Sequence, residues 1–243
     1  MSFAPATIAA VRRETPGART ITLDVDDWPG HIAGQHVDVR LTAENGYTAV
    51  RSYSIASSAS SLPLEITVDR LVDGEVSPYL VDVAEVGDRV EVRGPAGGWF
   101  VWRSNSDGPV QLIGGGSGVV PLMAMVRSHA NAGSAAPFRL LHSVRTPASA
   151  LFYDELKRQA ATDRHLTVDY AFSRETPPGW ADAPARLNRT AIEASVFAPS
   201  ERATFFVCGS TPFVEAVADW LVEAGHPPEG IKTERFGGIG RTS

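Results

Sequence analysis

Along the first hundred residues, apolar and polar side chains alternate with a period of two. The runs T-I-T-L-D-V (20–25), H-V-D-V-R-L (36–41), L-E-I-T-V-D (64–69) and R-V-E-V-R (89–93) each show it. That is the pattern of strands with one buried and one solvated face. R-S-Y-S-I (51–55) continues another alternating stretch and ends at the serine-rich A-S-S-A-S-S. Turn signals separate the runs: P-G at 16–17 and 29–30, E-N-G at 44–46, D-G at 73–74 and G-P-A-G-G at 94–98. Short strands with regular turns predict a small antiparallel barrel or sandwich. Within it, S-P-Y-L-V-D-V (77–83) predicts one short helix, capped by Ser77 with Pro78 at its first position.

Beyond the polar stretch S-N-S-D-G-P (104–109) the pattern changes. Near-continuous apolar runs V-Q-L-I-G, F-R-L-L-H-S-V, L-T-V-D-Y-A-F and A-T-F-F-V-C-G alternate with helical stretches near 118–132, 150–161, 189–197 and 212–224. Apolar strands alternating with helices predict a parallel sheet covered on both faces. The expected organisation is a β-barrel domain over residues 1–104 followed by an α/β domain over residues 105–243.

Composition narrows the function. A chain of 243 residues accommodates two such domains. A net charge of -6 without a basic block argues against a nucleic-acid binder. The single cysteine, Cys208, excludes an internal disulfide and a four-thiolate zinc or iron–sulfur site within this chain. The histidines show no H-x-x-x-H spacing, so a metal centre is not expected. No basic leader with a cleavage site is visible, and the apolar run around 119–126 contains Pro121 and is too short for a membrane span. A cytoplasmic protein is expected.

Three stretches are candidates for chemistry. Q-L-I-G-G-G-S-G-V-V-P-L (111–122) places four glycines at a strand-to-helix junction, where backbone N–H groups and the helix dipole hold phosphate. It lacks the Lys-Ser/Thr ending of a P-loop, and Val119 stands where G-x-G-x-x-G counted from Gly114 needs its last glycine. The following strand ends in Arg145 rather than in a ribose-binding carboxylate. A tight turn without a ligand is the alternative. In A-T-F-F-V-C-G-S-T-P-F-V (203–214), a buried strand delivers Cys208 and Gly209 at its carboxyl end, and Thr211 is expected to cap the next helix. The alternative is a cysteine that only fills core space. In A-F-S-R-E (171–175), Arg174 suits a phosphate or an ion pair with Glu175.

Their order along the chain is more specific than any one of them. R-x-Y-S at 51, D-G-E-V-S at 73, G-P-x-G at 94, G-G-x-G-V-x-P-L at 115, the S-R-E strand end and C-G-x-x-x-F-V at 208 together resemble the ferredoxin–NADP⁺ reductase family over roughly residues 5–237. The resemblance implies an antiparallel Greek-key β-barrel that binds flavin, followed by an α/β parallel-sheet nucleotide-binding domain, with no iron–sulfur domain in this chain. It places Arg51 on the flavin phosphate, Tyr53 against the isoalloxazine ring and Ser54 near flavin N5, with Ser52 between them. Gly74, Val76 and Ser77 would face the pyrophosphate, and Ile66 and Val68 lie on the strand lining the flavin edge. Gly115, Gly116, Ser117 and Gly118 would hold the nicotinamide nucleotide, with Ser117 in place of the usual threonine. Cys208 and Gly209 would lie near nicotinamide C4, with Glu234 as an acidic partner. Arg145, Ser173 and Arg174 match positions that clasp a 2′-phosphate, which implies NADPH rather than NADH. FAD, rather than FMN, is the implied flavin.

One departure is at the end. Many members finish on an aromatic residue over the flavin; here the match is Phe236, and G-G-I-G-R-T-S continues past it. The implied activity is an NAD(P)H-dependent flavoprotein oxidoreductase passing electrons to a small electron-carrier protein or an oxygenase component. A free-flavin or ferric reductase is the related alternative, and a non-catalytic nucleotide-binding subunit the distant one.

Overall fold

The computed structural model describes residues 2–59 and 63–236. The chain forms two compact units. One runs to Arg103 and takes in Met123–Ala132; the other comprises Ser104–Leu122 and the described chain from Gly133 onward.

The first unit is built on strands β1 (Ala4–Thr15), β2 (Ala18–Val25), β3 (His36–Thr42), β4 (Thr48–Ser54), β5 (Leu64–Asp69) and β6 (Arg89–Ala96). They pair antiparallel in the order β4-β3-β6-β1-β2-β5. The two ends of this order meet at a single bridge, Ile55 against Ile66, supported by the Ala56 N–H donated to the Glu65 carbonyl at 2.7 Å. Among the described residues, β4 has β3 as its only full ladder partner, so its outer edge stays open from the bridge backwards. The period-two apolar positions point inward, where Ile21, Leu23, Val37, Val39, Leu64 and Ile66 form the core.

β1 was not legible as a strand because only Ala6 and Ile8 of its twelve residues are buried. A register shift after Ile8 breaks the alternation, and the remainder pairs with β2 as an exposed ribbon. The expected helix over 77–83 is a single five-residue turn of π type, Tyr79–Val83, with Pro78 rather than Ser77 at the cap position. The Ser77 hydroxyl accepts the Leu71 N–H at 3.1 Å instead.

The second unit holds parallel strands β7 (Val110–Gly115), β8 (Phe138–Val144), β9 (Leu166–Phe172), β10 (Thr204–Ser210) and β11 (Ile231–Phe236), in the order β11-β10-β7-β8-β9. Helices α1 (Val119–Asn131), α2 (Tyr153–Thr162), α3 (Arg189–Ser195) and α4 (Thr211–Glu223) alternate with them along the chain, α1 belonging from Met123 onward to the first unit. On one face Ile113, Leu141, Phe205 and Val207 pack with Ile192 of α3 and Val214 and Val217 of α4. β11 escaped the sequence reading because Ile231 is its one buried residue, so I-K-T-E-R-F carries no apolar run. α4 starts with Ser210, not Thr211, at the cap position, and without a side-chain capping bond.

The strand order decides where a ligand fits. From β7 the chain proceeds through β8 to β9, then returns to place β10 on the other side of β7. Adjacent strands whose connections leave in opposite directions open a crevice at their carboxyl ends. Here that crevice lies beyond β7 and β10, where the glycine loop and Cys208-Gly209 emerge.

Candidate functional site

In the barrel unit the R-S-Y-S stretch occupies the open-edged strand β4. Tyr53 is half-buried against the barrel core, and burial pushes its phenol well above the usual tyrosine range. Ser54 is buried, and its hydroxyl has no hydrogen-bond partner among the described residues. A buried hydroxyl left without a partner costs free energy that a bound polar group would recover. Alternation puts Tyr53 and Ser54 on opposite faces of the strand, so a flat ring against the open edge can touch both.

Arg51 is half-exposed and donates to Glu75 at 2.6 Å and to the Val50 carbonyl at 2.7 Å. Glu75 also accepts from the Tyr47 hydroxyl at 2.9 Å. That ion pair brings β4 and the Gly74–Ser77 turn together, as a shared phosphate site would require. Ser52 points elsewhere, donating to Asp38 at 2.6 Å in a surface network with Arg93. The side chains of Ile66, Val68 and Val76 lie in the barrel core, so any flavin contact they make is through backbone. A Cβ at Gly74 would lie 2.7 Å from the Ser77 hydroxyl, which keeps this turn tight.

In the second unit, the glycine loop owes most of its glycines to packing. A Cβ at Gly118 would sit 2.2 Å from the Cys208 carbonyl, and one at Gly115 would strike the Phe213 ring at 2.7 Å. Gly116 differs: it has φ of +56° and nothing within 4 Å of its Cβ position. It is where the loop faces open space, with Ser117 half-exposed beside it.

Register pairing lines up Glu234, Cys208, Gly114, His142 and Tyr170 across five strands. Cys208 lies 3.9 Å from the Glu234 carboxylate. Burial, and next the Glu234 charge, push the Cys208 thiol up, so it stays protonated at neutral pH. A thiol held in its protonated form is a poor nucleophile. Burial also raises Glu234 to about 7, within reach of proton exchange at neutral pH. Phe236 follows on β11, opposite Ser210; the tail after it lies outside the described residues.

Arg145 and Arg174 come together past the ends of β8 and β9, where the Arg145 carbonyl accepts the Arg174 N–H at 2.9 Å. The Ser173 N–H is held by Val144 at 2.9 Å. Both arginines are exposed. Among the described residues no ion pair with Glu175 forms. His142, buried and bonded to the Gly116 carbonyl, was not among the residues singled out in the sequence. Its signal was present, a histidine at an inward position of the apolar run F-R-L-L-H-S-V.

Residues 15–101 match the oxidoreductase FAD-binding domain, and residues 112–219 match the oxidoreductase NAD-binding domain. The chain belongs to the ferredoxin–NADP⁺ reductase family. Among the relatives of this chain is the glycine betaine monooxygenase reductase subunit of Chromohalobacter salexigens, 34% identical over 84% of this chain. Another is the ferredoxin reductase component of 3-ketosteroid-9-alpha-monooxygenase from Mycobacterium tuberculosis, 31% identical over 94% of the chain. The chain spans 55% and 64% of the lengths of these two relatives. A cytochrome P450 reductase from Amycolatopsis superposes with a TM-score of 0.84 at 26% identity, over 97% of this chain and 70% of that one. The FAD/NAD-binding domain of nitric oxide dioxygenase from Vibrio cholerae shares the fold at a TM-score of 0.84 and 24% identity, over 97% and 99% of the two chains. Among the described residues no helix is long and apolar enough to cross a membrane.

The residues present fit FAD in the barrel unit. The orphan Ser54 hydroxyl, the half-buried Tyr53 ring and the Arg51 guanidinium supply a polar contact, a flat apolar face and a phosphate partner.

Proposed function

We propose that this reductase takes hydride from a nicotinamide nucleotide onto bound FAD and hands the electrons to a separate acceptor, a small electron-carrier protein or an oxygenase component. The orphaned Ser54 hydroxyl beside Tyr53 carries the reading, because a strand that served only as barrel wall would have no reason to bury it unsatisfied. The names of the monooxygenase reductase relatives support the choice of acceptor.

FAD, when bound, supplies the conversion of a two-electron donor into single-electron transfer. The chain's own residues do the holding. Arg51 neutralises phosphate charge, for which it must leave Glu75, and Tyr53 covers a ring face. The Ser54 hydroxyl makes a hydrogen bond at the ring edge. The loop from Gly115 to Gly118 receives the nicotinamide nucleotide, and the neutral Cys208 thiol packs against it without competing chemically. Glu234, titrating about 7, holds or releases a proton beside that thiol.

The paired, exposed Arg145 and Arg174, with no acidic partner among the described residues, favour a nucleotide bearing a 2′-phosphate. NADPH is therefore the preferred donor.

Anaerobic titration of the purified yellow protein with NADPH and with NADH tests all of this. One equivalent of nucleotide should bleach the flavin, the flavin released on denaturation should be FAD, and kcat/KM should favour NADPH. Bound flavin that no nucleotide bleaches overturns the reductase reading. Colourless protein that reduces added flavin establishes the free-flavin alternative. Equal or NADH-favouring kcat/KM removes the 2′-phosphate assignment alone.

A further inference from the structure

His142 lies on β8, wholly buried, between Gly114 and Tyr170 in the cross-strand row. Its Nε2 stands 3.0 Å from the Gly116 carbonyl oxygen. A carbonyl only accepts, so Nε2 carries the proton and Nδ1 is bare. Nδ1 is buried with no partner among the described residues. A ring that merely filled space here would be better as phenylalanine, which buries no lone pair. What the imidazole contributes is its one bond to the loop.

That bond falls on the residue that most needs it. Gly116 is exposed, left-handed, and has nothing packed beside its Cβ position. Its carbonyl accepts the Val119 N–H from the chain ahead and the imidazole N–H from the sheet below, so both lone pairs are used. In a planar trans peptide the carbonyl and the next N–H point in opposite directions. Drawing the Gly116 carbonyl toward His142 therefore aims the Ser117 N–H the other way, away from the imidazole.

We propose that His142 is a positioning residue for the nicotinamide nucleotide: by holding the Gly116 carbonyl it fixes the direction of the loop donors that receive the nucleotide. The inference rests on the proposed function for the identity of that ligand. Burial holds the ring neutral, with its proton affinity down at about 4, so the bond persists throughout the working pH range.

The test uses the FAD-loaded protein and NADP⁺ as the probe. His142→Phe keeps the volume and removes the donor, whereas His142→Gln restores an N–H. His142→Phe should raise the Kd of NADP⁺ and the KM of NADPH about tenfold, the size expected for one lost hydrogen bond. In that variant kcat and FAD content should stay unchanged, and His142→Gln should recover most of the affinity. Unchanged Kd in His142→Phe, or equal losses in both variants that track a fall in Tm, would overturn the role. Should His142→Phe fail to fold, the ¹⁵N resonances of the His142 ring in the wild type decide. The neutral Nε2–H form from pH 5 to 8 supports the proposal, and the Nδ1–H form or a titration in that range overturns it. Wild-type protein that binds neither nucleotide would instead overturn the proposed function and this inference with it.

Discussion

At the residue scale, the side chains of the proposed flavin seat differ in their chemistry. Arg51 supplies charge and Ser54 a directional hydrogen bond, so their losses should separate. Arg51→Ala should weaken FAD retention by about tenfold or more, since charged hydrogen bonds are worth about 1.5–3 kcal/mol. Ser54→Ala should keep FAD and slow flavin reduction by NADPH. Flavin fluorescence during dialysis and stopped-flow absorbance measure the two, and equal effects on both quantities would contradict the division. Glu234 makes a different prediction, about pH. Burial raises its carboxyl from 4.5 to about 7 in the folded chain. Its contribution to stability is fully present below the unfolded value and is lost as pH rises through about 7. Urea unfolding of wild type and Glu234→Gln should thus agree in acid and diverge toward neutrality. The wild type should lose at most about 3 kcal/mol relative to the variant. Parallel pH profiles would show that Glu234 is better solvated than the fold implies.

At the element scale, α1 is the element whose two ends have different work. Its start packs over Gly114, where a Cβ would come within 3.1 Å of the Val119 backbone. Its later turns bond to the chain around the barrel bridge: Arg127 donates to the Ala56 carbonyl at 2.9 Å and to Glu65 at 2.8 Å, and Asn131 donates to Ser58 at 2.8 Å. The Arg127–Glu65 pair is sheltered, with side-chain exposures of 14% and 21%, so it is worth more than a surface pair. Arg127→Met should lower unfolding stability by about 1–3 kcal/mol, because it strands a carbonyl and a carboxylate without their donor. Chemical denaturation checks this, and a change of a few tenths would mean that water replaces the arginine freely. Elements with a clear apolar period, such as β2, β3, β5 and the four helices, were legible in the chain. β1 and β11 were not, since each is buried at only one or two positions and pairing alone makes it a strand.

At the scale of the whole molecule, the change from period-two runs to long apolar runs announced two architectures, and the motifs along both identified a family. Those signals are local: a turn needs its glycine, a strand its alternation, and a loop near phosphate its small residues. Strand order is not local. The return of β10 to the side of β7 places Cys208 against the glycine loop, with Gly118 crossing its carbonyl, and residues 118 and 208 carry no mark of that in sequence. The same holds for Arg51 with Glu75, which meet only because barrel closure brings β4 to the turn after β5. It holds also for His142, a plain inward histidine until the parallel register sets it beneath Gly116. The sequence by itself determined the family, most of the element types and the candidate side chains, because these follow from periodicity and residue chemistry. Only the tertiary structure decided which of them meet, which hydroxyl and which imidazole nitrogen lie buried without a partner among the described residues, and which glycine faces open space. Those are properties of long-range packing, which no short stretch of chain encodes alone.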